Sequence, residues 1–583
     1  MRRHIWIAAL ASAAALAAGV AVVTTGPIGP AAAATTGGVK LAYFDQWSIY
    51  QNAFYVKNLD TMGIAGKLDF VIYDFENIDP VNLTCFEATK ATDPDPGGES
   101  DPNAGDGAGD QFADYQKTFD ASTSVDGVAD VFNQPIAGNF NQLKKLKARY
   151  PNLKIQLSLG GWTYSKYFSD VAKTAASRQK FVSSCIDMFL NGNIPASGGF
   201  GGPGTAAGIF DGFDIDWEYP GSTGGHLGNH VDPANDPANF TALLAEFRTE
   251  LSAWSSSHGG KRTYLTAALP SGQDKIKFIQ TNQIGQYLDY ANIMTYDMHG
   301  AWDSTGPTNF QDPLYTSPSD PMAPVPPGTG KYSVDEAMRA WTEGAPAYGI
   351  PGGFPKSKAT VGFPFYYRGW TGVPAGANHG LYSTATGPSP GFTLSGNVPG
   401  VAMYKEITGV VANAATTFFD PATQAAWFYD GSTLYVGDSP RSIQAKADYV
   451  HCNGYAGAMM FSLYDLDPAA TLFNALVNDI NGTAANCTAP SGPPTGSPSR
   501  SPGTPPSPSA SPSRAPSPSP SPSPSASPSP SGGAGPLANG GFEAGALPPW
   551  NCSTLDSVVG SPVHSGGHAL IGAVGDFDTA QCA

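Results

Sequence analysis

The chain is short of basic residues, of closely spaced cysteines and of long apolar runs. Lysine and arginine number 31 against 48 aspartates and glutamates, which gives a formal net charge of −17. Such an acidic protein repels phosphate backbones, so the sequence predicts no nucleic-acid partner. None of the six cysteines has C-x-x-C spacing, which argues against a zinc site. Beyond residue 34 no apolar stretch is long enough to span a bilayer, so no membrane association is predicted.

Residues 1–34 are typical of a secretory signal peptide. Arg2 and Arg3 precede an apolar, alanine-rich run, and four alanines at 31–34 offer a cleavage site. A membrane anchor is the alternative, but the Gly/Pro break at residues 26–30 favours cleavage. We therefore expect a secreted, extracellular protein, in which disulfides are stable.

The cysteines suggest local pairs. Cys452 with Cys487 and Cys552 with Cys582 are close enough in sequence to be bonded, whereas Cys185 lies on an apolar helical stripe and is expected in the core.

Composition divides the chain into a large unit, a linker and a short tail. Residues 488–535 are mostly proline and serine, which cannot form a core and favour extended conformations. Residues 35–487 are predicted to form one catalytic unit, and residues 536–583 a separate glycine-rich piece. Within the large unit, Asp93–Asp110 is acidic and glycine-rich and is expected to be a solvated surface loop.

The large unit alternates strand-like and helix-like patterns. Eight strands with helices between them predict an α/β fold, a (β/α)8 TIM barrel, whose functional residues lie at the carboxyl ends of the strands. The predicted strands are Val39–Asp45, Leu68–Phe75, Lys154–Gly160, Phe210–Glu218, Tyr264–Pro270, Tyr290–Met298, Ala359–Tyr366 and Ala456–Leu463. The last gap is too long for one helix, so a small α+β insertion is predicted at residues 371–450, between strands 7 and 8.

A row of carboxylates ends the fourth predicted strand. Asp214, Asp216 and Glu218 alternate with Ile215 and Trp217, so all three project from one face. Crowded anions hold protons more tightly, which turns a carboxyl into a proton donor near neutral pH. A calcium loop is the alternative, but the row lacks the glycine that an EF-hand requires at its sixth position. No metal ion or cofactor is therefore predicted.

These motifs resemble those of glycoside hydrolase family 18 chitinases. The fourth-strand motif is Asp211-Gly-x-Asp-x-Asp-x-Glu218, and five other segments agree in order. They are Tyr43–Tyr50, Ser158–Trp162, Met294–Asp297 followed by Gly300–Asp303, Gly362–Trp370 and Gly457–Phe461. The resemblance covers roughly residues 39–480, and the long insertion resembles that of the subfamily with an extra α+β domain.

The resemblance implies a retaining, substrate-assisted hydrolysis. Glu218 would act as acid and base, Asp216 would hold the substrate acetamido group, and Asp214 would share a proton with Asp216. Tyr296 would hydrogen-bond the acetamido oxygen. Carboxylates that follow one another on one strand cannot easily flank a sugar, which argues against a protein nucleophile. Asp211 is expected to be a structural hydrogen-bonding residue.

Further residues are carried over as substrate-binding positions. They are Tyr43, Trp47, Ser158, Gly160, Gly161, Trp162, Tyr219, Met294, Asp297, Trp302, Tyr366, Arg368 and Phe461. Trp47, Trp162, Trp302 and also Trp370 are candidates for an aromatic track, because indole faces stack on sugar rings. Taken singly, these tryptophans, Tyr43, Ser158 and Tyr366 could instead be ordinary barrel residues.

Two positions depart from the family pattern. Phe461 stands where the family usually has a tryptophan under the reactive sugar. Asp74 and Glu76 flank Phe75, where the family more often has small or apolar residues. Two extra carboxylates near the barrel interior would affect the pKa of the acid or the substrate preference.

The resemblance implies a chitinase that acts on chitin or chito-oligosaccharides, as a monomer. An endo-β-N-acetylglucosaminidase acting on N-glycans shares the carboxylate motif, and a non-catalytic chitin-binding lectin shares the fold. The intact Glu218 argues against the lectin. Residues 536–583 resemble the start of a carbohydrate-binding β-sandwich, although they are too few for a full sandwich, which needs about 100 residues.

Overall fold

The computed structural model describes residues 37–87, 101–484, 487, 557–559 and 569–571. The predicted signal peptide at 1–34, the linker at 488–535 and most of the predicted module at 536–583 lie outside these ranges. The chain divides into two compact units, Met1–Gly496 and Ser497–Ala583.

The first unit contains a closed parallel barrel of eight strands. Each strand pairs with the next and β1 pairs with both β2 and β8, which closes the barrel. The strands are β1 Val39–Asp45, β2 Phe70–Ile78, β3 Lys154–Gly160, β4 Gly212–Asp216, β5 Tyr264–Leu269, β6 Tyr290–Ile293, β7 Ala359–Pro364 and β8 Gly457–Phe461. The predicted TIM barrel is thus confirmed.

Five strand predictions run past the observed ends, and two of them concern the site. The fourth was expected to extend to Glu218 and the sixth to Met298, but β4 ends at Asp216 and β6 at Ile293. Asp214 and Asp216 therefore belong to a strand, whereas Glu218 lies just beyond it, where the chain leaves the ladder for a loop. Alternation of polar and apolar residues continued past the last backbone pairing and concealed the end of the strand.

The described part of the first unit also contains α-helices. They are α1 Val56–Thr61, α2 Gly138–Arg149, α3 Phe168–Ala172, α4 Ala175–Cys185, α5 Asp236–Ser257, α6 Gln273–Ile276, α7 Thr281–Ile284, α8 Val334–Thr342, α9 Thr408–Val411, α10 Pro440–Asn453 and α11 Thr471–Asn481. The apolar side chains of α2 and α5 are buried in the main core. Among the described residues, no helix combines the length and the apolarity that a membrane crossing requires.

The α10 helix shows how local sequence sets element bounds. The Ser439 hydroxyl accepts from the Ser442 amide and Pro440 opens the first turn. Gly454 ends the helix in the left-handed conformation, at a φ of 70°, which glycine adopts without a steric penalty. The chain then enters β8.

An antiparallel sheet is inserted between β7 and β8. Its strands are Tyr366–Thr371, Gly387–Pro388, Val401–Met403, Thr417–Asp420, Ala425–Tyr429 and Leu434–Val436. Trp370 is fully buried in a separate apolar cluster with Trp427 and Leu434, and its indole N–H donates to the Asp303 carbonyl at 3.0 Å. The prediction that Trp370 belongs to a sugar-stacking track is wrong, because its ring fills the core of this insertion.

Two disulfides tie the first unit together. The Cys452–Cys487 bond was predicted. Cys185 was expected to be an ordinary core residue, but it is bonded to Cys85, 100 residues earlier in the chain. Cys552 and Cys582 lie outside the described residues.

The described end of the acidic loop, residues 101–110, is not simply a solvated excursion. Ala104 and Ala108 are buried, and the carbonyl oxygens of Gly105 and Ala108 accept from the Asn77 side chain. Burial of these small residues draws the acidic segment against β2.

In the second unit, Ser557–Val559 and Ala569–Ile571 pair as antiparallel strands. The predicted carbohydrate-binding module stays a prediction.

Candidate active site

The carboxylate row lies at the carboxyl ends of the barrel strands. Asp214 is fully buried inside the barrel and accepts four side-chain hydrogen bonds. They come from the Tyr43 hydroxyl at 2.8 Å, Ser158 at 2.9 Å, Thr266 at 2.6 Å and the Asn292 amide at 3.3 Å. Burial raises the pKa of Asp214, and these hydrogen bonds oppose the rise. Residues from β1, β3, β5 and β6 thus hold this carboxyl in place.

Asp216 is buried but lacks such support. It is 3 % exposed, and its Oδ1 atom has no hydrogen-bond partner among the described residues. Burial, followed by the charges of Glu218 and Asp214, raises its pKa well above the usual range. Asp216 therefore presents an unsatisfied acceptor beside Glu218. Because Asp214, Asp216 and Glu218 are like charges at close range, the group binds a proton more tightly than an isolated carboxyl does.

Glu218 follows β4 and is 9 % exposed. Its backbone amide donates to the Ser165 hydroxyl at 2.8 Å, and its carbonyl accepts from the Asn229 amide at 2.6 Å. Tyr219 also makes a side-chain hydrogen bond to Glu218; burial and the charge of Glu218 raise the pKa of Tyr219 well above its usual range. The loop backbone and one neighbouring phenol thus position the carboxyl.

Tyr296 faces the row from beyond β6. Its hydroxyl donates to the Met459 sulfur at 3.7 Å, a weak acceptor that a carbonyl oxygen would readily replace. Burial and the charge of Asp216 raise its pKa well above the usual range. The hydroxyl therefore keeps its proton and remains a donor.

A charged group adjoins Tyr296. Asp297 accepts from the Tyr366 hydroxyl at 2.7 Å and from the Arg368 guanidinium at 2.7 Å. Arg368 also lies over the Tyr366 ring at 5.2 Å and the Trp302 ring at 5.3 Å. The group links the loop after β6 to the first strand of the inserted sheet.

Phe461 forms an aromatic cluster at the end of β8. Its ring centroid lies 5.5 Å from Tyr43 and 6.3 Å from both Tyr296 and Tyr366. These contacts place Phe461 beside three tyrosines of the candidate site, and its role under the reactive sugar stays a prediction. Met294 is half-buried against the same cluster, so it shapes the site through packing.

Gly160 and Gly161 allow the loop after β3 to pass close to β4. At Gly160 the φ is 110° and a Cβ atom would stand 2.1 Å from the Asp216 carbonyl oxygen. At Gly161 the φ is 83° and a Cβ would lie 2.8 Å from the Phe75 ring. Both positions require glycine for conformation and for space, so they support the site through the backbone.

Three predicted tryptophans lie beyond barrel strands. Trp47 is 38 % exposed after β1 and Trp302 57 % exposed after β6. Trp162 is half-buried after β3, with its ring edge-on to His226. Open indole faces at the carboxyl end of the barrel suit stacking on sugar rings.

A second group of buried carboxyls adjoins the row. Asp45 and Asp74 are partners in the β1–β2 register, and both are fully buried with no hydrogen-bond partner for either oxygen among the described residues. Burial and their mutual repulsion raise the pKa of Asp74 well above the usual range, with smaller contributions from Asp216 and Asp214. Asp214 and Asp216 thus act on the Asp74 carboxyl, whereas Glu76 faces Asp114 and Glu87 outside the row. An effect of Asp74 or Glu76 on the acid itself stays a prediction.

We expect Asp74→Asn to alter the pH dependence of stability. A raised pKa in the folded state means that the unfolded chain loses its proton first, so Asp74 costs stability as the pH rises above about 4, by about 1.4 kcal/mol per unit. Asparagine removes this cost. The free energy of unfolding of Asp74→Asn, minus that of the wild type, should therefore increase from pH 4 to pH 7, as measured by urea titration.

The matched control is Asp187→Asn, at an exposed carboxyl. This variant makes the same exchange of carboxyl for amide away from the barrel interior. A difference between Asp74→Asn and the wild type that stays constant from pH 4 to pH 7 would contradict the raised pKa of Asp74.

Some site residues escaped the sequence analysis. Thr266 and Asn292 hold Asp214, and only their inward positions on β5 and β6 could have marked them. Ser165 donates to the Gly161 carbonyl at 2.8 Å and the Asp216 carbonyl at 3.1 Å while accepting from the Glu218 amide. It lies in a loop, where no periodicity identifies it.

The sequence matches a known family over the barrel. The sequence model of glycosyl hydrolases family 18 matches residues 39–467. Chitinase C of Streptomyces lividans is 33 % identical over 445 residues, covering 76 % of this chain and 60 % of that protein. Chitinase A1 of Niallia circulans is 32 % identical over 486 residues, covering 80 % and 62 %. The chain thus spans about three fifths of the length of these curated relatives.

A solved structure agrees over the same region. The catalytic domain of the psychrophilic chitinase B from Arthrobacter TAD20 superposes with a TM-score of 0.68 and 41 % sequence identity. The match covers 78 % of this chain and 97 % of that domain.

Proposed function

The chain belongs to glycosyl hydrolase family 18, and we propose that it is a secreted chitinase of the subfamily with an α+β insertion. It hydrolyses the β-1,4 linkages between N-acetylglucosamine units of chitin with retention of configuration. The observation that carries the proposal is the unsatisfied, buried Oδ1 of Asp216 beside Glu218.

The first step uses the acid and the substrate's own acetamido group. Glu218 gives its proton to the glycosidic oxygen while the acetamido oxygen attacks C1 and the C1–O bond breaks. The product is an oxazolinium ion and a released sugar hydroxyl. The Asp216 acceptor binds the acetamido N–H and offsets the positive charge on nitrogen, and the Tyr296 hydroxyl aligns the acetamido oxygen.

The second step returns the site to its initial state. Glu218 takes a proton from a water molecule, whose oxygen attacks C1 and opens the oxazolinium ring. Two inversions at C1 give net retention. Asp214, already held by four donors, stays buried and shares a proton with Asp216.

The exposed rings of Trp47 and Trp302, together with the inserted sheet, favour a long linear polymer over a branched N-glycan. The export signal at residues 1–34 and a sugar-binding role for residues 536–583 complete the proposal. Both rest on the sequence, because these segments lie largely outside the described ranges.

The test is an assay of purified full-length protein on two substrates. We expect release of N,N′-diacetylchitobiose from colloidal chitin and no cleavage of a high-mannose glycopeptide, measured by chromatography of released sugars. Cleavage of the glycopeptide alone would identify an endo-β-N-acetylglucosaminidase. Binding to chitin without sugar release would identify a lectin and overturn the proposal.

A further inference from the structure

A third carboxyl cluster lies away from the catalytic row. Glu76, Glu87 and Asp114 are 1 %, 2 % and 0 % exposed. One carboxylate oxygen of each lies within 4.8 Å of one oxygen of the other two. None of the residues proposed above to contact the sugar belongs to this cluster.

The backbone brings these side chains together. Cys85–Phe86 is a short strand that pairs antiparallel with β2, with Asn77 opposite Phe86. One further step of this register sets Glu76 beside Glu87. Asp114 lies in a short π-helical segment, Phe112–Gln116, and accepts from the Tyr73 hydroxyl at 2.5 Å and from the Gln46 amide at 2.6 Å. Three elements thus bring three carboxyls around one point.

The cluster lacks a neutralising partner within the described ranges. No lysine, arginine or histidine there forms an ion pair with any of the three, and their strongest charge interactions are with other carboxyls. Three oxygens of the cluster accept no hydrogen bond from the described residues. They are both carboxylate oxygens of Glu87 and the Oε1 of Glu76. Buried carboxylates without a partner carry a large desolvation cost, so something must occupy the space between them.

Protons are one possible occupant. Burial raises the pKa of Asp114 to about 7, and it raises the pKa of Glu76 and Glu87 well above the usual range. Glu87 and Asp114 are close enough to share a proton. A proton bridges one pair of oxygens, however, and three converging carboxyls leave further oxygens unpaired.

We propose that Glu76, Glu87 and Asp114 form a structural calcium site. Calcium takes oxygen ligands at about 2.3–2.6 Å, so two of its ligands can stand about 4.6–5.2 Å apart. The cluster's oxygens, all within 4.8 Å of one another, are close enough to bind one such ion. Magnesium usually keeps several waters and takes only one or two carboxylates, so a buried group of three carboxyls favours calcium. Calcium would join three segments: β2, the Cys85–Phe86 strand and the segment after residue 101. β2 is also the strand that carries Asp74.

The experiment uses full-length protein dialysed against EGTA. Adding Ca²⁺ at a thousandfold excess over its dissociation constant should raise Tm by about 4 °C, and Mg²⁺ at the same concentration should raise it much less. Calorimetric titration in buffers of different ionisation enthalpy should show release of protons at pH 7, because the carboxyls must ionise to bind. Terbium should show tyrosine-sensitised emission, since the Tyr73 hydroxyl contacts Asp114.

Glu87→Gln should abolish the calcium-dependent rise in Tm. Asp79→Asn, just after the end of β2 and outside the cluster, should retain it. The wild-type measurements decide the question even if Glu87→Gln fails to fold. A wild type with no calcium-dependent Tm shift, no proton release and no terbium emission would overturn the proposal and leave protons as the occupants. Hydrolysis of chitin by calcium-free protein would leave the proposed function intact.

Discussion

Replacing Glu218 by glutamine is expected to lower the rate of chitin hydrolysis by about 10³-fold or more. Glutamine keeps the shape of the side chain but can neither protonate the glycosidic oxygen nor take a proton from water. One acid or base typically contributes about 10²–10⁴-fold, and Glu218 is proposed to act in both steps. Single-turnover rates on a defined chito-oligosaccharide measure the loss.

Binding should survive the change, because the aromatic surface and the loop backbone around Glu218 are untouched. The dissociation constant for the oligosaccharide should stay within a few-fold of the wild type by calorimetric titration. The matched control is Glu343→Gln, an exposed carboxyl in surface ion pairs with Arg339 and Lys356, which should leave both quantities unchanged. A Glu218→Gln protein with near-wild-type rate would exclude Glu218 as the acid.

The barrel and the carboxylate row could be predicted from the sequence for a physical reason. Parallel strands buried on both sides appear as apolar runs, and β1, β3 and β5 therefore begin at the predicted residues. The carboxylates interrupt such a run on β4, where a charge has no structural use unless it is paired. Their order along one strand, Asp214 then Asp216, also placed them at the correct end of the barrel.

Other features depend on contacts that no local pattern encodes. Asp45 and Asp74 meet only because β1 and β2 pair in one particular register. The Cys85–Cys185 bond joins segments 100 residues apart. Trp370 and Trp302 could not be told apart in the sequence, yet the Trp370 ring fills an apolar core and the Trp302 ring is exposed. A tryptophan in sequence indicates a large apolar face and not what covers it.

Replacing Asp216 by asparagine is expected to lower kcat by about 10²–10³-fold, the usual cost of losing one electrostatic contact to the developing charge. The negative carboxylate that would offset the positive acetamido nitrogen becomes a neutral amide. KM should change little, because the ground-state acetamido group is uncharged. Steady-state kinetics on a chromogenic chitobioside separate the two parameters.

Stability should move in the opposite direction. Asp216 is buried between two like charges with one oxygen unsatisfied, so Asp216→Asn should have a Tm equal to or above that of the wild type at pH 8. Asp214→Asn is the matched comparison on the same strand. It weakens hydrogen bonds from Tyr43, Ser158 and Thr266, so it should lower Tm by several degrees.

The pair of variants separates a functional carboxyl from a supporting one. A site that stabilises charge in the reaction holds an acceptor that the folded protein leaves unsatisfied until the substrate arrives, at a cost in stability. Asp216 meets that description and Asp214 does not. If Asp216→Asn lost stability and kept its kcat, the unsatisfied oxygen would be a feature of packing alone. The positive charge on the substrate would then need another partner.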